Sequence, residues 1–93
     1  MSEFHFVAII LTSASETRDL SRFEEQLDRA RDWVEFRDQS WLVWTEQTSR
    51  TWYRRMKPLL REGDNILVFA ADMSDRGGLM PEAFWEFVRA KTS

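Results

Sequence analysis

Cysteine is absent from this 93-residue chain, which removes any disulfide framework and any thiolate zinc site. Histidine occurs once, as His5 between Phe4 and Phe6, so one chain cannot build a histidine metal cluster or a paired-histidine mechanism. Its setting reads as a strand face. Glycine is scarce too, and the pair Gly77-Gly78 has neither Walker nor dinucleotide spacing, so it forms no phosphate loop. The longest apolar run, "FVAIIL", falls far short of the ~20 residues that span a bilayer. No basic-then-apolar leader opens the chain, and the expectation is a soluble, cytoplasmic protein with no membrane partner. A Gly-x-Ser-x-Gly elbow is also missing.

The carboxylates do not fill these gaps. Glu24, Glu25, Asp28 and Asp32 alternate with Arg22, Arg29 and Arg31, the i, i+4 pattern of a solvated helix face. Asp72 and Asp75 offer too few ligands for a metal loop and read as a turn. No catalytic residue, metal site or cofactor is expected from these residues, and the chain leans away from being an enzyme.

What is present is apolar and aromatic. Hydrophobic residues make up 43% and aromatics 14%, enough for a core in one domain over residues 1–93. A chain this short leaves much surface exposed, which favours self-association. The net charge of −3 is unevenly spread: residues 1–46 hold ten acids and five bases, while residues 47–61 hold five bases and no acid. A nonspecific DNA binder is usually basic overall, but a local basic patch can steer an anionic partner.

The pattern yields a series of elements. "FHFVAIIL" reads as a strand covered on both sides, followed by the polar loop "TSASETRD". Asp19 or Ser21 can cap a helix, Ser21 and Glu24 having capping-box spacing, with Leu20, Phe23, Leu27 and Ala30 as its apolar stripe. Residues 33–45 switch to a period of two, which predicts two short antiparallel strands about "DQS" or else one bent strand. Thr48 or Ser49 caps a second helix whose inner side carries Trp52, Met56, Leu59 and Leu60. Pro58 predicts a kink or tightening near 54–58, and Gly63 a left-handed stop. "NILVFAA" is a buried strand, and Pro81 opens a last helix over about 81–91. The order β-α-β-β-α-β plus a helix is the split βαβ, a ferredoxin-like α+β fold with a four-stranded antiparallel sheet. That topology is expected to set the two most apolar strands, the first and the last, side by side at the centre. A three-stranded β-α-β-α-β-α sheet is the alternative.

Ser40-Trp41-Leu42-Val43 before a Thr/Ser-capped helix, Pro58 within it, Asp64 before "ILVF" and an aromatic helix near the end carry a family resemblance. Over residues 4–88 the chain resembles small bacterial proteins called SinR-like, distant relatives of the CRISPR-associated spacer-acquisition dimer. The resemblance implies a ferredoxin-like fold and a homodimer. In those relatives the first strand ends in an aspartate thought to hold a metal. Here Ile9-Ile10-Leu11-Thr12-Ser13 has no carboxylate, so the implied nuclease activity does not carry over.

Two surfaces remain as candidates. Arg50, Arg54, Lys57 and Arg61 recur at i, i+4, i+7 and i+11 along the second helix, with Arg55 to one side, a stripe able to track nucleic-acid phosphates. The competing expectation is that this stripe pairs with the acidic first helix or with another subunit. Phe4, Phe6, Trp41, Trp44 and Trp85 are more aromatic surface than one small chain can bury. They are the expected dimer interface unless the last helix covers them. The reading is a non-catalytic dimeric interaction or regulatory module, with nucleic-acid binding through the basic helix as the alternative.

Overall fold

The structure, a computed structural model, describes residues 3–13 and 18–92. Of the polar loop expected over 12–19, residues 14–17 lie outside the described residues. The rest forms an α+β fold of one four-stranded antiparallel sheet and three α-helices. In chain order these are β1 (His5–Thr12), α1 (Ser21–Leu27), β2 (Asp32–Arg37), β3 (Ser40–Thr45), α2 (Ser49–Met56), β4 (Asn65–Ala71) and α3 (Glu82–Thr92). Strand order is β2-β3-β1-β4.

Residues 33–45 therefore make two strands, not one. The turn between them is Asp38-Gln39, and Gln39 takes the left-handed φ of 60° that such a short connection demands. β1 lies between β3 and β4. The first and last strands are adjacent, as expected, but they do not share the centre: β3 takes the second inner place and β4 is an edge. The sequence signal misled because "NILVFAA" is apolar on both faces, which is the mark of a covered strand. Here it belongs to an edge strand covered on one face only, where Ile66 and Val68 pack on the core.

Period two sorts the strand residues onto two cores. Val7, Ile9 and Leu11 of β1 and Trp41 and Val43 of β3 meet Phe23 and Leu27 of α1 and Trp52 and Met56 of α2. Trp41 stacks on Phe23 with centroids 5.9 Å apart. Trp52 is fully buried, and its indole N–H donates to Thr45 Oγ1 at 3.2 Å, so its polar atom is satisfied inside the core. Each of these large side chains contributes roughly 1.5–3 kcal/mol of burial. On the opposite face Phe6, Ala8 and Leu42 meet Phe84 and Val88 of α3, with Val34, Phe36 and Trp44 packed around them.

The helix ends follow local chemistry. α1 is shorter than its apolar stripe, and no side chain caps its N-cap residue, Leu20; Asp19 instead accepts the Ser21 N–H at 2.9 Å. Ala30 falls beyond α1 yet still packs on the core. Thr48 caps α2, its Oγ1 accepting the Thr51 N–H at 3.1 Å. Pro58 tightens the chain after α2 into a 3-10 turn over Lys57–Leu59, and Gly63 takes a φ of 89°. Pro81 stands just before α3, its carbonyl accepting the Phe84 N–H at 3.0 Å.

A buried ion pair fastens the start of α1 to the turn before β4. Arg18 donates to Asp64 at 2.5 Å and to the Leu59 carbonyl at 3.0 Å, with only 3% of either charged side chain exposed. Its guanidinium also lies 5.1 Å from the centroid of Phe23.

Candidate functional site

α2 turns Trp52 and Met56 inward, which leaves Arg50, Arg54 and Lys57 exposed on the other side. Arg55 lies between the two sides and rests its guanidinium 4.9 Å from the Trp52 ring centroid. Arg61 departs from the helical line, because the chain is a 3-10 turn and then extended before reaching it. Its backbone N–H donates to Asp64 at 2.7 Å, and its charge lies near both Asp19 and Asp64.

Among the described residues the basic stripe makes no ion pair with the acidic first helix. Among the described residues, Arg50, Arg54 and Lys57 join none of the ion pairs, which link Arg18 to Asp64, Arg89 to Glu82 and Lys91 to Asp32. The acids of that region are engaged elsewhere or point to solvent. Asp28 accepts the Trp33 indole N–H at 3.0 Å, and Asp32 accepts Lys91 at 2.7 Å, while Glu24 and Glu25 are exposed. The charge at the end of α1 that reaches α2 is Arg29. Burial lowers the pKa of Arg55 first, and the like charge of Arg29 lowers it further. The charge that Arg55 feels from the end of α1 is therefore a like one.

Beside this cluster lies a shallow groove of about 290 Å³, lined by Phe4, Arg29, Ala30, Arg31, Thr45, Glu46 and Gln47. Three segments converge to make it: the start of β1, the turn after α1 and the β3–α2 connection. The Arg31 N–H donates to the Trp44 carbonyl at 3.0 Å, which fixes the turn against β3. Phe4 is 38% exposed and stacks on Trp44 with centroids 5.7 Å apart and planes within 18°. Arg29 and Arg31 bring two bases to this groove against one acid, Glu46, with the Phe4 ring beside them. In sequence they belong to a mixed-charge helix and a strand start, so no local signal singles them out.

The aromatics expected at a dimer interface separate into two groups. Phe6 and Trp41 are buried in the two cores of the chain itself, at 4% and 1% exposure. Trp44 is half-buried against Phe6 and Phe4, and Trp85 is half-buried against Phe84. α3 covers Phe6 and packs beside Trp44, while Trp41 is covered by α1 and α2. Among the described residues the large apolar side chains left open are Phe4, Tyr53, Leu67, Phe69 and Leu79.

The remaining candidates take ordinary structural places. His5 begins β1 opposite Thr45. Asp72 accepts the Ser74 N–H at 3.0 Å in a turn, and its pKa is lowered by these Ser74 hydrogen bonds. At the end of β1 the neutral Thr12 is exposed and pairs with Asn65. Among the described residues no group of three or more His, Cys, Asp or Glu side chains could hold a metal ion. No helix among them is long and apolar enough to cross a membrane. No family model, curated protein or solved structure matches the chain.

Proposed function

We propose that the chain is a non-catalytic binding module whose basic α2 face takes the phosphate backbone of a nucleic acid. One observation carries this reading: Arg50, Arg54 and Lys57 are exposed together on one side of α2 and have no carboxylate partner among the described residues. Like charges held together without a counter-charge repel, and a polyanion relieves that repulsion while releasing its own counterions. The exposed Phe4 beside Arg29 and Arg31 offers a ring on which a base can stack.

The reading takes the fold as ferredoxin-like, supported by the strand order β2-β3-β1-β4 and by α1 and α2 sharing one sheet face. The likeness to SinR-like proteins and a cytoplasmic location belong to the same proposal. A second reading, a dimeric interaction module, is favoured by a separate observation, the open edge of β4 with its exposed Leu67 and Phe69.

Fluorescence anisotropy with labelled single- and double-stranded DNA and RNA 20-mers tests the first reading. With about four phosphate contacts, the log affinity should fall with log salt at a slope of roughly −3 to −4. The triple variant Arg50→Glu, Arg54→Glu, Lys57→Glu should lose binding. No binding by the wild-type chain at low salt would overturn the proposal.

A further inference from the structure

The two sheet edges are built differently. β2 is a guarded edge: Asp32, Glu35 and Arg37 are charged and exposed, and the register shifts between Glu35 and Arg37. Charges and irregular pairing are how proteins keep edge strands from joining other strands. β4 has none of this. Its seven residues, "NILVFAA", include no charge, no proline and no glycine, and they pair with β1 in unbroken register from Asn65 to Ala71. Their outward N–H and C=O groups face away from the sheet. On the α3 side of the sheet, Ala71 is covered, but Leu67 is 58% exposed and Phe69 is 40% exposed.

We infer that β4 is a self-association edge that pairs antiparallel with β4 of a second copy, joining two sheets into one of eight strands. Residues directly opposite in an antiparallel pair point to the same face, so a two-fold pairing must set residues of equal parity against each other. Pairing about Val68 places Leu67 of each copy against Phe69 of the other. The two exposed apolar side chains then cover one another twice, which is self-complementarity of the kind an isologous interface requires. Asp72 of one copy comes opposite Asp64 of the other, whose charge is already matched by Arg18, with Arg61 close by. An uncharged strand ending in this way suits its own copy better than a charged peptide.

This interface rests on the dimeric reading above and is independent of nucleic-acid binding. Sedimentation equilibrium from about 1 μM to 1 mM covers the range for a small edge-to-edge contact. The apparent mass should rise from the 11.2 kDa of one chain towards twice that value. Since both copies carry a net charge of −3, added salt should leave the association unchanged or strengthen it, opposite to its effect on nucleic-acid binding. Leu67→Lys and Phe69→Lys should each weaken association by about tenfold or more, since an edge lysine opposes strand addition. Tyr53→Lys, on the exposed side of α2, should not. Hydrogen exchange on the wild-type chain provides a check without substitutions: amides within Asn65–Ala71 should gain protection with concentration while those of α2 do not. A chain that stays monomeric throughout overturns both the interface and the dimeric reading. A dimer that persists in both lysine variants, or whose protection lies outside β4, overturns the interface alone.

Discussion

Replacing Asp64 with asparagine removes one charge from a pair that is almost entirely out of solvent. Arg18 keeps two other contacts, the Leu59 carbonyl and the Phe23 ring, but its Nε has no hydrogen-bond partner. The guanidinium would be left buried without its counter-charge, a change that costs about 3–5 kcal/mol in buried pairs. The pair lies just beneath the surface, with 3% of each side chain exposed, so the lower end, about 3 kcal/mol, is expected here. Small domains hold only about 5–15 kcal/mol in all. With a urea dependence of roughly 1–1.5 kcal/mol per molar, the unfolding midpoint should fall by about 2–3 M.

The pH dependence adds a signature. Burial alone would raise the Asp64 pKa, but the Arg61 N–H, the Arg18 hydrogen bond and the charges of Arg18 and Arg61 together outweigh it. The carboxyl is held below its ordinary value of 3.8. Because the folded pKa is the lower one, the stabilisation is complete above the unfolded value and is lost as pH falls through the folded value. The wild-type advantage over Asp64→Asn should therefore be constant near neutrality and shrink below about pH 4. Arg18→Met combined with Asp64→Asn should cost less than the two single changes added together, because the second removes a charge already orphaned. A loss below about 1 kcal/mol, or strictly additive costs, would refute the reasoning.

Two further perturbations act on the backbone. Thr48→Ala removes the α2 cap and should lower stability by about 1 kcal/mol in urea unfolding, with no loss if Ser49 can take over. Gln39→Gly should act in the other direction and raise stability by about 1 kcal/mol, because the left-handed turn residue no longer carries a side chain. It also removes the buried Gln39 Oε1, which has no hydrogen-bond partner; a lower urea midpoint would show that Gln39 packing outweighs both effects.

Much of the fold was legible because its signals are local. The change of period at residues 33–45, the Thr48 cap and the Pro58 tightening each depend on a few neighbouring residues, and each appears in the structure; Gly63 is left-handed as expected but sits in the turn before β4, because the helix has already ended at Lys57–Leu60. What could not be read depends on tertiary placement. "NILVFAA" carries the apolar pattern of an inner strand, and only the pairing order makes it an edge. The acidic residues beside α2 looked like partners for its bases because sequence gives sign but not direction. Trp33 and Lys91 occupy Asp28 and Asp32, and Arg29 bonds to Gln26. Arg18 sits in a polar loop, and nothing there reveals a buried partner forty-six residues away.

The position of β1 also has a kinetic consequence. Of the four strands β1 is synthesised before the others, yet it is an inner one, flanked by β3 on one side and β4 on the other, with Thr12 opposite Asn65 and Phe6 opposite Ala71. Its ladder to β4 cannot close until most of the chain has left the ribosome, and loops of that length must be ordered before any pairing rewards them. Folding should therefore be late and largely all-or-none. Until β4 arrives, the nascent chain presents Phe6–Leu11, an apolar strand, with one side unpaired, which makes it a natural target for chaperone binding during synthesis.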